Sequence, residues 1–183
     1  MSVSWLTRLG STVLLGLAVA SCDRSSTAPM AQHVHDAATG RLSPDAANKA
    51  ANLARDIRAI TSKYQSKRLA LADGYAEDAH CVEHPTLGGM GHHFVNGALV
   101  DPVYQPARPE VMLYAPDVNG RLVLVAVEYI VIDVGQPAPT FGGQPFDVGG
   151  TPVPVPHWSL HVWLHTTNPA GLFSPWNPNV NCP

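Results

Sequence analysis

The sequence has few charged residues, and its second part has almost no cations. Charged residues make up 14% of the 183 residues. Between Asp23 and Ala72 eight Lys or Arg residues accompany four acids, whereas from Asp73 onward only Arg108 and Arg121 accompany ten acids. Proteins that bind nucleic acid need a basic surface to neutralise phosphates. The charge pattern therefore indicates that nucleic acid is not a partner.

Several motifs that would define an activity are also missing. The sequence contains no nucleotide-binding glycine loop, no Ser-His-Asp order and no paired-cysteine metal motif. Each of these motifs has a known physical role in phosphate binding, nucleophilic catalysis or metal binding. Their absence leaves the nine histidines as the main source of candidate chemistry.

The chain has no apolar run as long as the roughly 20 residues that a membrane-spanning helix needs. Its first residues instead have the layout of a secretory signal, with Arg8 in the first part and a short apolar run from Leu9 to Ala18. Val19-Ala20-Ser21-Cys22 resembles a bacterial lipobox, in which the cysteine is acylated. The alternative is an ordinary signal peptide in which Cys22 has no role.

These features predict a signal peptide at residues 1–21 and a lipoprotein anchored to a membrane through Cys22. Residues 22–42 lack hydrophobic periodicity and read as a flexible tether. A single domain is expected over residues 43–183. We expect this protein in the bacterial cell envelope, facing the periplasm or the exterior.

Two further cysteines, Cys81 and Cys182, are predicted to form a disulfide bond, because exported proteins meet oxidising conditions. Such a bond would close a loop of about 100 residues and stabilise the fold by roughly 4–5 kcal/mol. The alternatives are two buried thiols or a pair of ligands for a soft metal.

The periodicity of the apolar residues predicts an α+β fold. Ser43-Pro44 is a helix start, and apolar residues then recur at spacings of three and four up to Asp73-Gly74, with one interruption at Lys67. One long amphipathic helix over 44–72 is therefore expected. Residues 110–114 and 121–134 are expected to be strands joined by the turn at Asn119-Gly120. We predict that the helix packs on a mainly antiparallel, partly barrel-like sheet.

The stretch His157–His165 is predicted to be a strand with two different faces. Side chains alternate along a strand, so Trp158, Leu160, Val162 and Leu164 form an apolar face. The histidines at 157, 161 and 165 lie on the other face with Trp163. The histidine face suggests a lined pocket, and the candidate pocket residues are His157, Trp158 and Trp163. A small apolar or aromatic ligand would be held by Trp158, Trp163 and Trp176.

Glu128 is the one acid within the apolar run 121–134, and a buried carboxylate needs a partner. His161, with His92 or His93, would complete a set of two histidines and one carboxylate. That set suits zinc or iron, and Met90 in the same region adds copper as a candidate. The plain alternative is a buried His161–Glu128 pair that binds no ligand, and Arg108 or Arg121 could also meet the carboxylate.

The chain resembles a family of bacterial exported proteins that has no established activity. The segments that carry the resemblance are ALADGY (70–75), GMGHHFVN (89–96), RPEVMLY (108–114), VEY (127–129), LHVWL (160–164) and NPAGLFSPWNP (168–178). The resemblance implies an envelope location and a compact domain, and it transfers no catalytic residue. Three hypotheses remain at this point: an envelope protein that binds a metal or small ligand, a metalloenzyme using Glu128 as ligand or general base, and a structural or partner-binding lipoprotein.

Overall fold

A computed structural model describes residues 42–150 and 153–182, without the side chains at positions 79 and 80. The predicted signal peptide, the lipidation site at Cys22 and the tether up to residue 41 lie outside the described residues. The described part has helices followed by a mostly antiparallel sheet, so the α+β class is confirmed. None of its helices combines the length and hydropathy needed to cross a bilayer.

The single helix predicted over 44–72 is three shorter helical segments: α1 at Pro44–Thr61, a 3-10 helix at Ser62–Gln65 and α2 at Lys67–Ala72. The long-helix prediction is therefore wrong in the middle. Two hydrogen bonds join the sheet to the residues around the break. The Tyr114 hydroxyl donates to the Tyr64 carbonyl, and the side-chain amide of Gln65 donates to the Leu124 carbonyl. The first of these bonds occupies a backbone carbonyl of the helical segment, and the second ties the Gln65 side chain to the sheet. The seam interruption at Lys67 was the only sequence sign of the break.

In the described part of the chain eight strands follow the helices: β1 Ala76–His84, β2 Gly88–Val95, β3 Val111–Pro116, β4 Leu122–Ile132, β5 Thr140–Phe141, β6 Gln144–Pro145, β7 Asp147–Val148 and β8 His157–Val162. Six of them form one sheet in the order β1-β2-β3-β4-β8-β7, and β5 pairs with β6. The sheet is open, so the barrel-like prediction is wrong. Closure would need β1 to pair with β7, which has only two residues and lies at the opposite edge.

The two faces of the sheet have different coverings. On the first face α1 contributes Ala50 and Ile57 to a core with the large residues Phe94, Tyr114 and Tyr129. On the second face aliphatic side chains of β3 and β4 pack with Trp163 and Val180. The apolar face predicted for the His157–His165 stretch is confirmed, since its even-numbered side chains pack on the first core. They are Trp158, Leu160, Val162 and Leu164.

The disulfide bond between Cys81 and Cys182 is present, with their sulfur atoms 2.03 Å apart, as the sequence predicted. It joins β1 to a C-terminal segment that also pairs with β2. The amide of Gly89 donates to the carbonyls of Asn177 and Val180, and the amide of Asn177 donates back to Gly89. A side chain at Gly89 would come within 2.9 Å of Val180, so glycine permits this close pairing. The bond and the pairing together hold the chain end against the sheet.

Candidate metal centre

The register of the sheet brings three buried ligand-type side chains together. Glu128 lies at the centre of β4 and pairs with His161 on β8, so both side chains lie on the second face. His93 lies on β2, one strand further away, and pairs with Leu113 of β3. Its side chain reaches the same point across β3, where Val111 is the residue that pairs with Glu128. Three separate strands thus supply the three groups.

The three side chains offer ligand atoms that all lie within 4.8 Å of one another. Glu128 Oε2 is 3.5 Å from His93 Nε2 and 3.7 Å from His161 Nε2. The rings of His93 and His161 are perpendicular, with centroids 6.1 Å apart. All three residues are between 2% and 4% exposed, so bulk water does not screen the group.

Ser159 fixes the orientation of the carboxylate. Its hydroxyl donates a hydrogen bond of 2.6 Å to Glu128 Oε1, and the residue is itself buried. This leaves Oε2 as the carboxylate oxygen that faces the two imidazoles. The sequence placed Ser159 on the histidine face of its strand, but nothing in the sequence indicated this role. Groups that hold a ligating carboxylate in place in this way are typical of metal sites.

His92, the other candidate from the His-His pair, does not join the group. It lies next to His93 on β2 and therefore on the opposite face. Its Nδ1 is 3.0 Å from Glu77 Oε1, at the partly exposed edge formed by β1. Neither Arg108 nor Arg121 meets Glu128, since Arg121 bonds Asp117 and Arg108 contacts Gln105.

The three proposed pocket residues are not brought to a common pocket. Trp158 packs against the first core, whereas His157 and Trp163 lie on the second face. His157 Nδ1 is 2.7 Å from the Val155 carbonyl, and the indole of Trp163 donates to the Ser174 carbonyl. These are contacts that hold loops to the sheet. The structure separates these residues by the same alternation that defines the strand.

Glu110 is a second buried acid, which the sequence predicted only as the first residue of a strand. It is 1% exposed, and its Oε2 accepts from the amide of Ile130. Burial raises the pKa of Glu110 to about 8, so the carboxyl group is mainly protonated at neutral pH. Its surroundings include Tyr104 and Tyr129, whose rings pack edge to face. The only sequence sign that Glu110 is buried was its position directly before an apolar strand.

Comparison of the chain with family models, with curated protein sequences and with solved structures gave no match. The protein is therefore described by its fold and its candidate site. It has an α+β domain closed by a disulfide bond, with a buried cluster of two histidines and one glutamate.

Proposed function

We propose that this protein is an exported, lipid-anchored envelope protein whose domain holds a divalent transition metal ion, best zinc, with His93, Glu128 and His161. The observation that supports the metal is the spacing of the three ligand atoms around Glu128 Oε2. The exported location is supported by the signal-like N-terminus and by the disulfide bond.

The spacing fits a shared ion better than direct pairing. A charge-assisted hydrogen bond from imidazole to carboxylate has a typical length of about 2.7–2.9 Å. The two distances to Glu128 Oε2 are 3.5 Å and 3.7 Å. Ligand atoms around tetrahedral zinc, at bond lengths of about 2.0–2.1 Å, lie about 3.4 Å from each other. Small side-chain shifts would therefore bring these atoms to zinc distances.

The type of ligand favours zinc among the candidate metals. Imidazole suits zinc, copper and iron, and thiolate or thioether ligands select copper(I). The group contains two imidazoles and one carboxylate, and both cysteines of the domain are used in the disulfide bond. An octahedral ion with similar bond lengths would need neighbouring ligands only about 3 Å apart. The wider spacing here is closer to a tetrahedral site.

The burial of the group supports a held metal in preference to an enzyme. A catalytic metal site keeps an open position for water or substrate. Here each ligand is at most 4% exposed, and three surface cavities of about 370–420 Å³ in the described part are lined by other residues. None of these three cavities would therefore bring a substrate to the ion. The metal would instead neutralise the buried carboxylate and join three strands.

The test of the metal is elemental analysis of untagged protein purified without chelator. We expect one zinc ion per chain in the wild type, and much less than one in Glu128→Gln and His161→Ala. Adding zinc to chelator-treated wild type should raise the melting temperature, because a ligand present at 100 times its Kd stabilises by about 2.7 kcal/mol. His92→Ala is the matched control, since it removes a neighbouring imidazole from the opposite face. The proposal would be refuted if the wild type is purified without metal and its melting temperature does not change when zinc, copper or iron is added.

The anchor has a separate test. Cys22→Ser removes the only predicted acylation site, and several acyl chains are what gives stable membrane attachment. We expect the wild type in the membrane fraction of the producing bacterium and Cys22→Ser in the soluble exported fraction. Mass spectrometry of the wild type should show a lipid-sized mass increase on the N-terminal peptide. Equal distribution of both proteins between fractions would contradict the anchor without affecting the metal site.

A further inference from the structure

A polar surface cavity of about 370 Å³ lies beside the C-terminal end of α1. Arg58 of α1 lines it on one side, and residues 163–168 with Leu172 line the rest. Its polar groups include the imidazole of His165 and the hydroxyls of Thr166 and Thr167. None of the three proposed metal ligands lines this cavity, so it is a separate site.

The hydrogen bonds of His165 determine which of its ring nitrogens carries the proton. Thr61 Oγ1 is 2.7 Å from the Ile57 carbonyl, to which it donates its single proton. The same oxygen is 2.9 Å from His165 Nε2, so Nε2–H must be the donor in that contact. Nδ1 of the neutral ring is then left as an acceptor. Burial, followed by the nearby Arg58 charge, lowers the pKa of His165 to about 4 and keeps the ring neutral.

The free acceptor is the ring nitrogen that does not contact Thr61. Thr61, which binds Nε2, is buried and does not line this cavity, whereas His165 does. Among the described residues no group hydrogen-bonds to His165 Nδ1. A ligand in the cavity that is to satisfy Nδ1 must therefore bring a hydrogen-bond donor.

Arg58 requires that the ligand also bring hydrogen-bond acceptors. Within the described residues no carboxylate lies within 4.0 Å of its guanidinium, although Arg121 and Lys63 each have an acidic partner. A guanidinium presents several donors in a planar arrangement that matches two oxygens of a carboxylate or phosphate. The lining of the cavity thus combines a fixed positive charge that carries hydrogen-bond donors with a neutral acceptor.

We infer that this cavity binds an oxyanion that carries a hydroxyl group, of which hydrogen phosphate is the simplest, between Arg58 and His165. The oxyanion accepts from Arg58, and its hydroxyl donates to His165 Nδ1. Sulfate has the same shape and carries no proton at neutral pH, so it would place an oxygen lone pair against Nδ1. Sites of this kind reject a ligand that leaves a polar group unpaired.

The same chemistry has two sources, free phosphate and a phosphate monoester such as the headgroup of phosphatidic acid. A monoester has a second pKa of about 6, so at pH 6 a substantial part of it keeps its hydroxyl. A phosphodiester such as phosphatidylglycerol has none. Vesicles of the two lipids, compared with free phosphate, therefore distinguish the sources.

The experiment is calorimetric titration of the full chain at pH 6 and constant ionic strength, with inorganic phosphate, sulfate and the two kinds of vesicle. Phosphate, phosphatidic acid or both should bind, at least tenfold more tightly than sulfate or phosphatidylglycerol respectively. Arg58→Gln should weaken this binding at least tenfold. Arg55→Gln is the matched control, because it removes the same charge from the same helix, and it should change binding less than twofold. Nitrogen-15 spectra of the imidazoles should show His165 Nδ1 unprotonated and shifted by phosphate.

Three results would overturn the inference. The first is an absence of binding to both free phosphate and phosphatidic acid at 10 mM. The second is equal affinity for phosphate and sulfate, which would mean that the acceptor plays no part. The third is an equal loss of binding in Arg58→Gln and Arg55→Gln, which would show a general charge effect. His165→Gln, checked for an unchanged fold by circular dichroism, should bring the phosphate-to-sulfate ratio close to one.

Discussion

The two faces of the same sheet contain different kinds of buried polar groups. On the first face, under α1, the polar atoms are tyrosine hydroxyls that donate to backbone carbonyls. Those of Tyr75, Tyr114 and Tyr129 bond to Pro109, Tyr64 and Pro106. On the second face the polar atoms belong to the ionisable cluster of His93, Glu128 and His161. These three hydroxyls have backbone partners, although the buried Tyr104 hydroxyl and Trp158 Nε1 on the same face have none among the described residues. The second face instead has the spacing of a metal site.

The two buried glutamates show the same contrast. Glu110 lies near tyrosines, and burial raises its pKa to about 8. Glu128 has a serine hydroxyl on one oxygen and two imidazole nitrogens near the other. A carboxyl group without a cation nearby remains protonated when it is buried. A carboxylate surrounded by metal-ligand side chains is the one that can bind an ion.

The largest expected effect comes from removing the disulfide bond, which holds the C-terminal segment against the sheet. Replacing Cys81 and Cys182 by alanine releases a loop of about 100 residues, which the chain-entropy relation values at about 4.7 kcal/mol. Urea unfolding should show a loss of this order. Hydrogen exchange should rise first in the C-terminal segment that contains Asn177 and Val180. Uniformly faster exchange on both faces would show that the bond does not act on the second face in particular.

The next prediction compares the two faces through substitutions at two neighbouring residues of β8. Leu160→Ala leaves a cavity in the first core and should lower the free energy of unfolding by about 3 kcal/mol. The folded protein should still contain one zinc ion per chain. His161→Ala should lose the zinc, and its stability should no longer depend on zinc. Loss of zinc in folded Leu160→Ala would mean that the two faces are not independent.

The smallest effect concerns the pH dependence from Glu110. Its folded pKa of about 8 lies above the ordinary value of 4.5, so the folded state binds more protons between these pH values. Stability from this group is therefore complete below pH 4.5 and is lost as the pH rises through 8. Glu110→Gln keeps the acceptor for Ile130 and does not titrate. From pH 5 to pH 7 the variant should gain on the order of 2 kcal/mol relative to the wild type.

Urea unfolding of both proteins at the two pH values measures this difference. Contributions from other groups, such as His165, cancel because both proteins contain them. A stability difference that stays constant from pH 5 to pH 7 would contradict a raised pKa for Glu110. Such a result would weaken the contrast between the two glutamates.

The sequence predicted the strands better than the shape of the sheet. Alternation places the side chains of β8, His157–Val162, on the predicted faces, because a strand has a period of two whatever it pairs with. The strand ends three residues before the predicted end, and His165, predicted on the histidine face, instead contacts Thr61 of α1. Sheet closure depends on whether the edge strands meet, and nothing local to Asp147–Val148 shows that it is an edge. The break near Lys67 coincides with two hydrogen bonds to residues that are distant in the sequence, one donated by the Tyr114 hydroxyl and one accepted by the Leu124 carbonyl.

For the candidate site, the sequence could name Glu128 and His161 but could not choose between His92 and His93. Adjacent residues of a strand face opposite sides, and the choice depends on how β2 is oriented in the sheet. Pairing of β2 with β3 puts His93 on the side of Glu128 and leaves His92 beside Glu77. The role of Ser159 depends on the same pairing.

The sequence alone determined the α+β class, the two-faced strand and the cysteine pair, because these follow from periodicity and composition. The tertiary structure decided that the sheet is open and that His93, Glu128 and His161 meet. The physical reason is that a side chain's face is a local property of the backbone. The meeting of three strands depends on register, which only the packing of the whole sheet defines.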